Sequence, residues 1–319
     1  MSNSSNIKQE EKNKASYKIK RIFWYIINKP IVIVRMAWDY FAAILPAEFF
    51  LKVRFRLRVG YWPNLKSPKS YNEKVQWLKL HDIREEYTKM VDKIDAKDYV
   101  ASKVGSKYVI PTLGTWNSTD EIDWNSLPNQ FVIKSTNDSG GVVVCKDKTT
   151  FDVKDAILVL QNQGGRDYSK ISKEYPYKNV PHRFIAEEYM EDESGFELKD
   201  YKIFCSYGKP LFLFVATGRQ QLDTRFDFYD TDFNHLPLLN GHPNADVWPA
   251  KPENFEEMLE VAAKLSEGIP QIRVDLYNIN GKIYFGELTF FHWSGMVPFE
   301  PREWDYKFGE MITLPYERK

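Results

Sequence analysis

Along this 319-residue chain the spacing of hydrophobic and polar positions changes several times. Residues 1–16 are mostly polar and read as a disordered tail. Ile22–Val34 is apolar except at Asn28, Lys29 and Pro30, and Arg35 and Asp39 then interrupt it. A membrane span needs about 20 mostly apolar residues, so this stretch is too short and too charged. In Leu51–Val59 (LKVRFRLRV) apolar and basic residues alternate, which taken alone is the period of a strand; the segment also suits a helix continuing from Pro46. Pro63 to Pro68 is a connector. Ser70 and Glu73 then have capping-box spacing at the start of SYNEKVQWLKLHD. Tyr87–Val104 is a second helical stretch. From Pro111 onward strand-like runs dominate: Phe131–Ser135, Val142–Lys146, Arg183–Tyr189, Tyr201–Tyr207, Pro210–Thr217, Ile272–Asn278 and Lys282–Phe290. Helices intervene over Val153–Gln163 and Asn254–Ser266, the latter with Asn254 as a cap. Hairpins mixed with helices predict an α+β body.

Composition keeps the chain among globular proteins, with 43% hydrophobic and 28% charged residues. Two cysteines, Cys145 and Cys205, imply no disulfide framework and fit a reducing cytoplasm. The five histidines show no metal-ligand spacing, and no secretory signal is expected. The net charge of zero hides an asymmetry. Residues 1–66 hold 13 Lys/Arg and 4 Asp/Glu, against 31 and 40 in the remainder, so +9 faces −9. Within the arm at 17–60, Trp24, Tyr25 and Trp38 lie among Lys18, Lys20, Arg21 and Arg35. An interfacial anchor on an anionic membrane surface and a helix packed on the body both fit. With the basic surplus confined to that arm, nucleic acid is not an expected partner.

Candidate chemistry lies in three places. Residues 131–145 (FVIKSTNDSGGVVVC) are two β-branched runs around a polar loop, with Lys134 closing the first and Ser139, Gly140 and Gly141 in the loop. Successive N–H groups beside a fixed lysine can cradle a polyphosphate, although neither a Walker motif nor GxGxxG is present. FIAEEYMEDES (184–194) is a strand ending in carboxylates. Backbone hydrogen bonds from Glu187, Glu188, Tyr189 and Met190 suit an adenine, and Asp200 suits ribose hydroxyls. A plain hairpin and solvated acids remain the plainer readings of these two segments. The third place, IRVDLYNINGKIYFGELTFFHWSG (272–295), puts Arg273, Asp275 and Glu287 inside an apolar hairpin, where charge is costly unless it is bound. Asn280-Gly281 is a turn signal. A strict two-residue loop pairs 275 with 286 and leaves Asp275 and Glu287 on opposite faces. A three-residue loop, or one bulge, pairs 279 with 283 and 275 with 287. Arg273, Asp275, Glu287 and Thr289 then share a face that can hold Mg²⁺, and the odd loop is the expected solution.

The order of these parts resembles the ATP-grasp superfamily. It resembles more specifically the TupA-like branch, found in bacterial cell-surface polysaccharide gene clusters and named for teichuronopeptide biosynthesis. The resemblance covers about residues 48–312 and rests on SYNEKVQWLKL, YTKMVDKIDAKDYV, FVIKSTNDSGG, IAEEYMEDESGFELKDYKIFCSYGKP, IRVDLYNINGKIYFGELTFFHWSG and EWDYKFGE. It implies an ATP-grasp α+β fold, with a helical lead-in at 61–110, an N-terminal subdomain at 111–190 and a C-terminal subdomain at 191–319. It also implies ATP and Mg²⁺ as cofactors. Lys93 and Lys134 look like the two nucleotide-contacting lysines, and Ser139, Gly140 and Gly141 like the flap over the phosphates. Glu187 to Met190 look like the adenine hinge, Asp200 like the ribose acid, and Arg273 like the holder of the transferred phosphate. Asp275 and Glu287 would bind Mg²⁺, with Thr289 where relatives usually carry Asn. Ser294-Gly295 lies where a turn meets the acceptor. Arg219 and Arg225, in the polar stretch 217–230, are candidates for gripping a carboxylate or an acylphosphate.

The implied activity is carboxylate–amine ligation through an acylphosphate. The expected setting is the cytoplasmic face of a bacterial membrane, and the expected partners are a polysaccharide precursor with a small amine or carboxylate. A glycosyltransferase, a sugar kinase and a non-catalytic assembly protein are the alternatives.

Overall fold

The computed structural model describes residues 44–137, 141–163, 168–195, 197–219 and 223–318. The expected tail at 1–16, most of the arm, Ser139 and Gly140 lie outside the described residues. Residues up to Trp62 and those from Pro63 onward form two units. In the first, α1 spans Ala47–Val59, with Pro46 before it and Gly60 at φ 99° closing it. The alternation of Leu51–Val59 is therefore wound into a helix. Glycine supplies the left-handed residue that ends it, and Glu48 pairs with Lys52 one turn on.

The second unit opens with α2 (Tyr71–His81), where Ser70 and Glu73 exchange both bonds of the capping box. The stretch 87–104 is not one helix. It splits into α3 (Glu86–Val91) and α4 (Asp95–Val104). Asp92 makes the break: its carboxylate accepts from the N–H groups of Ile94 and Asp95 at 2.8 and 3.3 Å, and from Arg183 at 2.8 Å. Lys93 sits in that break.

Two antiparallel sheets follow. Strands β1 (Thr112–Trp116), β2 (Phe131–Ser135), β3 (Val142–Cys145) and β4 (Phe184–Glu188) form the first sheet, in the order β1-β4-β2-β3. Helix α5 (Val153–Gln163) packs on β2 and β3, and the short α6 (Tyr168–Ile171) follows it. A small core of Phe131, Ile133, Leu160, Phe184 and Ala186 lies beneath.

The second sheet contains β5 (Asp200–Ser206), β6 (Lys209–Thr217), β7 (Arg225–Asp230), β8 (His235–Leu236), β9 (Ile272–Ile279) and β10 (Lys282–Thr289), in the order β10-β9-β5-β6-β7-β8. Part of the polar stretch 217–230 is thus a strand, in which Phe226 and Phe228 alternate with polar residues. Helix α7 (Phe255–Leu265) covers one face of this sheet, packing on β5, β6 and β9. Asn254 precedes it, but its side chain does not cap the helix; its amide instead donates to the Gly281 carbonyl at 2.8 Å. Helix α8 (Glu303–Met311) packs on α2, with Asp305 accepting from the Asn72 N–H at 2.9 Å. Both cysteines are free and buried. Among the described residues no helix is long and apolar enough to cross a membrane.

Candidate functional site

The hairpin β9–β10 reaches the expected 275–287 pairing through a bulge and not through the favoured odd loop. Asn280 and Gly281 have φ 51° and 79°, so they form the tight two-residue turn, and Ile279 pairs with Lys282. The extra residue lies four positions further on. Leu276 pairs with Phe285 and Asp275 pairs with Glu287, which leaves Gly286 as a bulge. The expected odd loop and its 279–283 pair are thus replaced by a tight turn plus a bulge. Glycine permits this, because a Cβ at 286 would lie 3.1 Å from the Asp275 carbonyl oxygen and 3.2 Å from the Tyr277 ring.

Behind the bulge the charged side chains share one face. Arg273 forks onto Asp275, Nε to Oδ1 at 2.6 Å and Nη2 to Oδ2 at 2.7 Å. Its Nη2 also reaches Glu287 at 2.9 Å and Thr289 Oγ1 at 3.0 Å. From β5, Lys202 bonds Asp275 and Asp200, and Arg219 closes on Asp200 at 2.7 Å. Sheet order explains the meeting: Lys202 lies directly opposite Asp275 on β9.

Burial pushes the Asp275 carboxyl up to about 6, against the pull of Arg273 and Lys202. Glu287 keeps about two fifths of its side-chain surface open. Burial raises its pKa, but Lys202, Arg273 and Lys93 outweigh that and hold it well below the usual range. Lys93 therefore acts on the same carboxylate as Arg273.

On the first sheet, Lys134 and Glu187 occupy diagonal positions of β2 and β4. The Glu187 carboxylate is buried between Lys134 and Lys97, with each ammonium 2.5 Å away. Burial would raise its pKa; Lys134 and Lys97 reverse the sign and lower it. Burial also lowers Lys97, despite Glu187. The two clusters converge on Tyr277. Its phenol is held well above its ordinary value by burial first, then by Asp200, Glu287 and Glu187, with Arg219 opposing. Carboxylates from both sheets thus act on one ring. A cavity of about 710 Å³ lined by Arg84, Tyr87, Tyr99 and Glu267 contains none of these site residues.

One sheet carries a lysine strand and the other an Arg-Asp-Glu hairpin, and the TupA-like ATP-grasp family model matches residues 73–313. The chain belongs to the TupA-like ATP-grasp family. No match is found among curated proteins. Solved structures similar to this ATP-grasp chain include the D-alanine–D-alanine ligase from Helicobacter pylori, at 15% identity over 76% of this chain and 65% of that one, with a TM-score of 0.40. The D-alanine–D-alanine ligase from Bacillus anthracis complexed with ATP is similar at 12% identity, covering 63% and 53%, TM-score 0.37. The ATP-grasp ligase PsnB complexed with minimal precursor, Mg and ADP is similar at 9% identity, covering 64% and 52%, TM-score 0.36. The chain spans about half the length of the last two.

Within this ATP-grasp chain, Asp200, Arg219, Arg273, Asp275, Glu287 and Thr289 are joined in one bonded group through Lys202; Lys134 and Glu187 form a second with Lys97; and Lys93 acts on Glu287. Arg225 is not among them: it holds Asp223 at 3.1 Å and the Asn244 carbonyl at 3.2 Å. Glu188 is the exposed end of β4, with Tyr189 and Met190 just beyond it. The Gly141 carbonyl accepts from the Ser135 N–H at 2.8 Å, closing the β2–β3 loop.

Sequence reasoning missed Lys97, Lys202, His292 and Asn240. Lys97 stands one helical turn beyond Lys93, and Lys202 stands two residues beyond Asp200 in an otherwise apolar strand. Both spacings were visible. Asp275, Glu287, Thr289 and the Asp200 Oδ1 atom, which is buried without a hydrogen-bond partner, are hard oxygen donors. Among the described residues no group of three or more His, Cys, Asp and Glu side chains forms a metal site by itself. Two carboxylates with substrate phosphates suffice for Mg²⁺, so the donor set fits that ion.

Proposed function

We propose that this protein is an ATP- and Mg²⁺-dependent carboxylate–amine ligase acting on a bacterial cell-surface polysaccharide precursor, with the joining of an amino acid to a uronic acid as its reaction. The observation that carries this reading is the pair of charged clusters built on the two sheets, Lys134–Glu187–Lys97 on one and Arg273–Asp275–Glu287 on the other. Lys93 and Lys134 would contact the phosphates, the strand end Glu187–Met190 the adenine, and Asp200 the ribose. Asp275 and Glu287, with the Thr289 oxygen, would hold Mg²⁺, which supplies neutralisation of phosphate charge.

A substrate carboxylate attacks the γ-phosphorus; the bond to the bridging oxygen breaks and ADP leaves with its electron pair. An amine then attacks the acylphosphate carbon, phosphate leaves, and the amine nitrogen gives up a proton. Arg273 and Lys134 stabilise the phosphoryl charge as it moves, and Arg219 grips the carboxylate. No side-chain nucleophile is needed; Cys205 is fully buried and its thiol is pushed up to about 12 by burial.

The basic arm supports placement on an anionic membrane surface at the cytoplasmic face. The test is a screen of ADP release against paired carboxylates and amines, with Lys134→Ala and Glu287→Ala as controls. A ligase releases ADP only with both partners present. Release with a single acceptor makes the protein a kinase, and binding of nucleotide-sugar in place of ATP makes it a glycosyltransferase. Unimpaired polymer in cells carrying both variants makes it an assembly protein.

A further inference from the structure

Arg273 has one partner that the proposed chemistry does not use. Its Nη1 lies 2.7 Å from His292 Nδ1, and His292 Nε2 lies 2.9 Å from Asn240 Oδ1. Asn240 is itself oriented, because its amide nitrogen donates to the carbonyls of Val297 and Pro298 at 3.2 and 3.1 Å. With the amide fixed that way, its oxygen faces the ring and can only accept. The proton of His292 therefore sits on Nε2, and Nδ1 is left to accept from the guanidinium. All three side chains are buried. Phe204 stands edge-on to the imidazole at 5.2 Å and Phe214 lies at 5.3 Å, so the ring has little room to turn.

We propose that His292, oriented by Asn240, is a positioning residue that aims Arg273 at the terminal phosphoryl group of the bound nucleotide. This rests on the role given to Arg273 above. The other partners of the guanidinium are Asp275, Glu287 and Thr289, the groups assigned to Mg²⁺. When those oxygens turn to a cation they loosen their hold on Arg273, whereas His292 does not change partner. A neutral acceptor also leaves the guanidinium its full charge for phosphate, where a carboxylate in its place would consume it. Burial, then Arg273 and Lys202, hold the His292 pKa well below its ordinary value, so the acceptor nitrogen stays bare. Among the described residues Nη1 has no other acceptor, which leaves its second hydrogen for the ligand.

The test compares Mg-ADP with the Mg complex of the non-hydrolysable triphosphate AMPPNP, by calorimetry on the full chain. In His292→Phe, ADP affinity is expected within about twofold of wild type. AMPPNP affinity is expected to fall about tenfold to a hundredfold, the range for a hydrogen bond to a charged group. His292→Gln, whose amide can accept from Arg273 and donate to Asn240, is expected to restore most of the preference for triphosphate. Asn240→Ala is expected to lower that preference severalfold without touching either nucleotide.

Equal losses for both nucleotides, or an unchanged ratio in His292→Phe and Asn240→Ala, overturn the assignment and leave the pair as packing only. Should His292→Phe not fold, imidazole ¹⁵N spectra of the wild type decide. The Nε2–H tautomer with a bare Nδ1 is expected, and the opposite tautomer overturns the assignment. Wild-type protein that binds neither nucleotide defeats the ligase reading instead, while the tautomer measurement still reports on His292.

Discussion

Glu187 concentrates the electrostatics of the first sheet into one residue. It is almost fully buried, and two ammonium groups hold its carboxyl below the ordinary value of 4.5. The sign of the consequence follows from linkage: a carboxylate with a depressed folded pKa stabilises fully above its unfolded pKa and loses that contribution as pH falls below about 4.5. Glu187→Gln, which leaves Lys97 and Lys134 facing each other, should therefore cost about 3 kcal/mol at pH 7. The gap to wild type should narrow steadily as pH drops below that point. Urea melts of the two proteins at pH 7 and at pH 3.5 measure it, and a gap that does not change with pH would show that the loss comes from packing.

Asp92 makes the corresponding point for Lys93. Its buried carboxylate serves two backbone N–H groups and Arg183 at once. Asp92→Ala should lower stability by about 2 kcal/mol through the lost cap and the lost ion pair, with Arg183 left only its bond to Asp95 at 2.9 Å. It should also weaken AMPPNP binding as far as Lys93→Ala does. Full nucleotide affinity in a folded Asp92→Ala protein would separate the break from the site.

At the scale of elements, the hairpin β9–β10 shows what a bulge adds to a sheet. Gly286 lets the chain keep the turn that Asn280 and Gly281 demand and still set Glu287 opposite Asp275. Gly286→Ala pushes a methyl group toward a carbonyl and a tyrosine ring at 3.1–3.2 Å, so one of them has to shift. A stability loss of about 1–3 kcal/mol is expected, together with a weaker dependence of AMPPNP affinity on Mg²⁺; thermal melts and calorimetry with and without the ion read both. Unchanged values in each would mean that the bulge is incidental.

This hairpin was legible in advance because period-two alternation displays its charges within a few residues. Lys202 and Asp275 are 73 residues apart, and nothing local announces that β5 will lie beside β9. His292 and Asn240 were hidden for the same reason. Elsewhere local signals competed. In α1 the alternation of Leu51–Val59 argued for a strand, and the helix won between Pro46 and the left-handed Gly60. In β7 the alternating phenylalanines were outweighed by the polar residues before them. The break at Lys93 carries no Gly or Pro; only Asp92, three residues ahead of Asp95 in a capping role, marks it.

At the scale of the whole molecule, net charge is a misleading quantity. A protein with equal numbers of acids and bases has no overall attraction to an anionic surface. The +9 of residues 1–66 nevertheless acts locally, because at about 0.1 M salt the screening length is about 10 Å, far shorter than a chain of this size. An anionic membrane surface as the arm's partner is a proposal that rests on the +9 of residues 1–66. The full chain should therefore sediment with vesicles containing phosphatidylglycerol and not with phosphatidylcholine alone. Raising the salt several-fold should release it, which an insertion driven by apolar area would resist. Each basic residue near such a surface contributes about 1 kcal/mol, so replacing Lys18, Lys20, Arg21 and Arg35 together by glutamine should weaken vesicle binding by about a hundredfold or more. Nucleotide binding should stay as it is, since all four precede the family match, which begins at residue 73. Equal binding to neutral and anionic vesicles would make Trp24, Tyr25 and Trp38 the dominant contact, and no binding to either would remove the arm from any membrane role.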